Sequence, residues 1–221
     1  MIHNRLIYFL LIPCALFCSK LITDDDNNPA NYERMAYKIT HQTIEQIRRE
    51  KQLLCMGTGG SMPHDVRKLS VSFMYRQKEE LDVRSARELM VYIVDLYLEN
   101  INADKELRPY LHVYPFTAEN LEITVFIEKP NGKEVDPDNL YCISLWRNLV
   151  TYTKQQGQHI RWNMVESFPT TERLAHDRAL AFAAAQTERW DRYDFRDPDH
   201  IKKMIARDKE VLKQEENACV H

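Results

Sequence analysis

Glycine is scarce in this chain: five residues in 221, three of them crowded into Gly57–Gly60. That scarcity excludes a collagen-like or glycine-rich repetitive chain, and nine prolines exclude a proline-rich one. Charge of one sign is missing too. Thirty Lys and Arg stand against 33 Asp and Glu, for a net charge of −3. Such a balance gives no electrostatic footprint for nucleic acid, so no nucleic-acid partner is expected. Five cysteines contain no Cys-x-x-Cys, and the eight histidines contain no His-Glu-x-x-His and no His-x-His. The short spacings that hold metals are therefore absent, and neither a metal nor a cofactor is expected. Gly-x-Ser-x-Gly is not completed, because Gly59-Gly60-Ser61-Met62-Pro63 lacks its last glycine. No Gly-Lys-Ser/Thr follows that loop, so a phosphate-binding loop is excluded as well.

What is present is ordinary for a folded protein: 44% hydrophobic and 29% charged residues. Length alone suggests one domain, or one domain with an appendage, at roughly 100–200 residues per domain. The amino-terminal end is the most distinctive part. After Arg5, Leu6–Cys18 runs 13 residues without a charge, and Lys20 ends the run. A short basic start and an apolar core of that size match a secretory signal peptide. The run falls short of the ~20 residues that span a bilayer core. Extended to Ile22, it would serve as an uncleaved anchor with Lys20 snorkelling to the interface. The segment also resembles a bacterial lipoprotein signal, which implies lipidation at Cys18, although Phe17 stands where such signals carry a small residue. Residues 1–22 are thus expected to be a signal peptide or membrane anchor, and 23–31 (TDDDNNPAN) a polar tether. The expected location is outside the inner membrane, periplasmic or membrane-anchored. Cleavage would leave three thiols, Cys55, Cys142 and Cys219, too few for a disulfide framework.

Beyond the tether, periodicity predicts α+β: about four mostly antiparallel strands with amphipathic helices on one face, in the order α-β-α-β-β-β-α-α. A helix is expected over 32–55, stopped by a Gly57–Gly60 turn. A strand follows at 66–76, where Leu69, Val71, Phe73 and Tyr75 alternate with polar residues. A helix is expected from Val83 to Ile101, then strands at 121–127, at 140–153 with a bend, and at 158–167. Residues 128–138 carry the turn signal Pro130-Asn131-Gly132. The α+β domain is expected to cover 32–169, and a helical extension capped by Thr170 or Thr171 to cover 170–221.

Candidate chemistry is sparse. The Gly57–His64 loop has the composition of an anion-binding nest, though a helix-to-strand turn explains it better. His64, His159 and Glu166, with His112, are the side chains whose convergence would make an active site. Glu122 and Glu128 sit six residues apart on one strand face, roughly 20 Å, too far for paired-carboxylate chemistry. Trp146, Trp162, Trp190, Tyr141 and Tyr152 would line a groove for a sugar or peptide if they converged. Residues 189–196 interleave aromatic and basic side chains, but the whole 172–216 stretch has 10 basic against 11 acidic residues. The expectation is therefore a binding module of the bacterial envelope, with a protein or envelope component as its partner and no assigned reaction. The alternative is a hydrolase or transferase with its site near the Gly57–His64 loop.

Overall fold

A computed structural model describes residues 29–76, 80–156 and 160–177, with isolated positions at 185, 202, 203 and 206. The expected signal peptide, the lipidation site Cys18, His159, Trp190, Cys219 and nearly all of the expected helical extension lie outside the described residues.

The described residues are α+β, with three α-helices and a six-stranded mixed sheet whose strands lie side by side in sequence order. Helix α1 (Pro29–Lys51) leads into strands β1 (Leu54–Ser61) and β2 (Lys68–Tyr75). Helix α2 (Val83–Ala103) then crosses to β3 (Leu121–Ile127). Strands β4 (Leu140–Trp146), β5 (Leu149–Gln156) and β6 (Ile160–Ser167) follow as a meander, and α3 (Phe168–His176) closes the described chain. Four of the five ladders are antiparallel. The exception is β2 with β3, which run parallel because α2 carries the chain back to the starting end.

Six strands replace the four expected, for two local reasons. Helix α1 ends at Lys51 rather than near residue 55, because Gln52 takes a left-handed φ of 56° and returns its amide to Arg48 O at 3.1 Å. That terminating conformation usually falls to glycine. The glycines expected to make the turn are instead extended in β1, paired along β2 from Gly57↔Ser72 to Gly60↔Leu69. The strand expected to bend between 140 and 153 is a hairpin. Arg147 and Asn148 both have positive φ (51° and 63°), the backbone of a two-residue turn whose twist suits flanking strands. Sequence reading looks for Asn-Gly there, and Arg-Asn hides the turn. The α3 cap is Ser167, which accepts from Thr170 N, rather than Thr170 or Thr171.

Alternation sets the two sheet faces. In β3, Leu121, Ile123, Val125 and Ile127 are buried, while the residues between them are half-buried. The buried row packs against α2, whose Ala86, Leu89, Met90, Ile93, Val94, Tyr97 and Ile101 form the inward stripe, capped by Asp82 at Ser85 N (2.7 Å). Helix α1 docks beside α2 through Asn100 Nδ2 donating to Thr43 Oγ1 (2.9 Å) and Tyr92 OH donating to Glu50 Oε2 (2.7 Å). Partial burial and the Glu50 carboxylate push the Tyr92 phenol up to about 12. The other sheet face is small and hydroxyl-rich, with Ser70, Ser72, Thr124, Ser144 and Thr151 brought into line by register.

Candidate functional site

Glu166 sits where no substrate reaches it. Strand β6 directs it inward, and its carboxylate lies buried against Arg87 of α2 in a two-point pair: Nε to Oε1 at 3.0 Å and Nη2 to Oε2 at 3.1 Å. Tyr152 OH donates to Oε1 at 2.7 Å and Thr171 Oγ1 donates to the same oxygen at 2.9 Å. Burial first, and the adjacent carboxylate second, raise the Tyr152 phenol well above its ordinary range. A carboxylate with four donors in a closed core fastens α2, α3, β5 and β6 together. Glu166 thus lies in the core and not in an open cleft.

His64 and His112 are both exposed. The segment after α2 is stitched to the β1–β2 connection: Val66 N donates to Tyr110 O (2.8 Å) and His112 N to Val66 O (2.9 Å). This brings His112 Nδ1 to 2.7 Å from Asp65 Oδ2, while Arg67 Nε holds Oδ1 at 2.8 Å. The Arg67 hydrogen bond, with that of His112 second, lowers the Asp65 carboxyl below its ordinary value. Neighbouring residues on one strand would not meet this way. Asp65 and His112 are 47 positions apart, so the pair has no signature in sequence.

The Gly57–Gly60 segment is no nest, because its backbone is extended in β1 and paired along β2. Glu122 and Glu128 are each committed to a neighbour, Lys68 Nζ (2.9 Å) and Arg76 Nη2 (2.7 Å) respectively. The described candidates do not converge on a groove: Tyr152 is in the core, Trp146 is exposed under the Arg147 guanidinium, and Tyr141 meets Phe126 edge-on. Cys55 is exposed and Cys142 half-buried. Among the described residues, no cluster of three metal-ligating side chains occurs and no helix is long and apolar enough to cross a membrane.

Sequence reading missed a concavity among the described residues. A cavity of about 410 Å³ opens at the carboxyl ends of the parallel pair β2–β3. In sheets with parallel strands this end is where ligands are commonly held, since a crossover helix and a loop diverge there. Tyr75, Ile127 and Leu140 from three strand ends and Leu81 before α2 form an apolar floor, with Val135 at the side. The wall is the 128–139 loop. A turn closes it, with Gly132 N donating to Lys129 O at 2.8 Å across Pro130-Asn131, and Gly132 at φ 76°. Ion pairs brace it: Arg76 with Glu128, and Lys129 Nζ with Asp136 Oδ1 at 2.6 Å. Asn139 Nδ2 donates to Glu80 Oε1 at 2.8 Å across the mouth. The lining thus carries an apolar floor and a rim on which Glu80 and Glu128 outnumber Lys129. The Pro-Asn-Gly turn was the one part of this site legible beforehand.

Searches against protein-family models, curated proteins and solved structures find no match to this chain.

Proposed function

We propose that the chain is a binding module of the bacterial envelope, exported or membrane-attached through its amino-terminal segment. It takes an amphiphilic ligand, with an apolar body and a cationic or hydrogen-bonding head, in the β2–β3 cavity. The cavity itself carries this reading. Its floor is apolar, its rim is polar with an acidic excess, and a braced turn holds its wall in place before any ligand arrives. Leu6–Cys18 supports the location by its length and lack of charge.

The test uses isotopically labelled full-length protein titrated with hexylammonium as probe, with hexanoate as the charge control. Hexylammonium should shift the amide resonances of Leu81, Val135 and Leu140. Val135→Trp, which fills the space, should abolish the shifts, and Glu80→Gln should weaken them. Equal response to both probes, or none to either, rejects the reading. Location is tested separately by the intact mass and N-terminus of protein from membrane and soluble fractions. An unprocessed soluble chain rejects the envelope assignment.

One contact favours a second reading, a hydrolase or transferase near the Gly57–His64 connection. Asp65 engages His112 at Nδ1, which leaves Nε2 outward in the orientation a general base requires. Hydrolysis of activated esters lost in both His112→Ala and Asp65→Asn would favour it over the binding module.

A further inference from the structure

Strand β1 is an edge of the sheet, bonded to β2 on one side. Natural edge strands are protected by charge, proline or brevity. This one is eight residues long, Leu-Cys-Met-Gly-Thr-Gly-Gly-Ser, with neither a charge nor a proline. It is exposed along almost its whole length, Leu54 and Met56 included at 44% and 58%. A bulge between Cys55 and Gly57 displaces Met56 but leaves Gly57–Ser61 in regular register.

The glycines of this strand are not all explained from within the chain. Gly60 is required: a Cβ there would lie 2.6 Å from Lys68 O. Gly57 is not, since a Cβ would meet nothing within 4 Å, and Gly59 would make only an ordinary contact, at 3.9 Å from Ser70 Cβ. Neither has a positive φ. Glycine in a strand interior weakens the strand, and where the fold does not need it, it marks a close approach by something else.

We propose that β1 pairs antiparallel with β1 of a second copy of this chain about a two-fold axis through Thr58, joining two six-stranded sheets edge to edge. This goes beyond the cavity reading and does not depend on it. The strand is self-complementary in shape. Its first half is bulky (Leu54, Cys55, Met56) and its second half is glycine-rich (Gly57, Gly59, Gly60). Antiparallel pairing about Thr58 sets Met56 opposite the other copy's Gly60, Cys55 opposite its Ser61 and Gly57 opposite its Gly59, so between Cys55 and Ser61 no two large side chains meet. The absence of charge lets two identical strands lie side by side without like-charge repulsion.

The full-length chain is examined by sedimentation velocity from 1 to 100 μM, every variant in the same detergent, so that association through Leu6–Cys18 is common to all. The native chain should dimerise. Gly57→Lys and Met56→Lys should each weaken the dimer at least tenfold, with circular dichroism and melting temperature at low concentration unchanged, because neither side chain meets the interior. A Thr58→Cys, Cys55→Ser variant should form a disulfide between position 58 of the two copies on mild oxidation. A native chain monomeric at 100 μM overturns the proposal. So does a dimer that both lysine variants leave intact, or a monomer that instead adds an extended peptide of unrelated sequence along β1.

Discussion

Arg87 and Glu166 lie 79 positions apart and meet through two hydrogen bonds, with the Arg87 side chain 2% exposed and the Glu166 side chain 8%. Each ion has lost its water, so each depends on the other. Glu166→Ala should cost about 3–5 kcal/mol, since it takes the carboxylate away from a buried guanidinium. Arg87→Met with Glu166→Leu and Tyr152→Phe should recover most of that loss, because an apolar set of similar size removes the desolvation cost with the charges. Urea denaturation of the native chain and the two variants measures both.

The β4–β5 hairpin depends on left-handed backbone at two residues that are not glycine. Asn148→Val should lower stability by about 1–2 kcal/mol, because a β-branched side chain resists φ of 63°. Asn148→Asp, which tolerates that region, should cost far less. Thermal melts of the two variants distinguish a backbone effect from a lost contact.

Two glycines of one strand should behave oppositely. Gly60→Ala should destabilise the monomer by roughly 1–3 kcal/mol, since its methyl meets the Lys68 carbonyl and Met62 Cε. Gly57→Ala should be neutral or slightly stabilising, because it enters open space and restricts the unfolded chain. Denaturation at submicromolar concentration reads the monomer alone.

The Glu122 carboxyl is held below its ordinary value, first by the hydrogen bond from Lys68 and further by that from Ser70. A depressed folded value means the stabilisation is present above the unfolded value, near 4.3–4.5, and is lost as pH falls through the folded one. Melting temperature should therefore fall more steeply below about pH 4.5 in the native chain than in Glu122→Gln. Parallel slopes would show that the pair contributes nothing to folding.

Much of the fold was legible where one periodicity acted without interruption. Helix α2 and strands β2 and β3 fall where their apolar spacing places them. What was illegible turned on residues adopting conformations usually left to others: Gln52 ending a helix, Arg147-Asn148 making a hairpin turn, glycines extended in a strand. Those outcomes are set by tertiary pairing, which overrides local preference. The candidate site was less legible still. Tyr75, Ile127 and Leu140 fall within expected strands, and only the parallel return of the chain gathers those strand ends around a space. Asp65 and His112 show the same dependence on the β1–β2 connection being stitched to a distant segment.

The sequential strand order has a kinetic consequence. Every antiparallel ladder joins neighbours in the chain across a short link, whereas the parallel ladder sets Leu69 beside Leu121. Loop-closure entropy makes that long-range pairing the costliest ladder to form, and helix α2 spans the gap. The β3–β6 meander can assemble from local contacts, and α1 with β1 and β2 likewise. Substitutions at the β2–β3 seam should therefore slow refolding more than those within the β4–β6 meander, which stopped-flow refolding of the two sets of variants would measure.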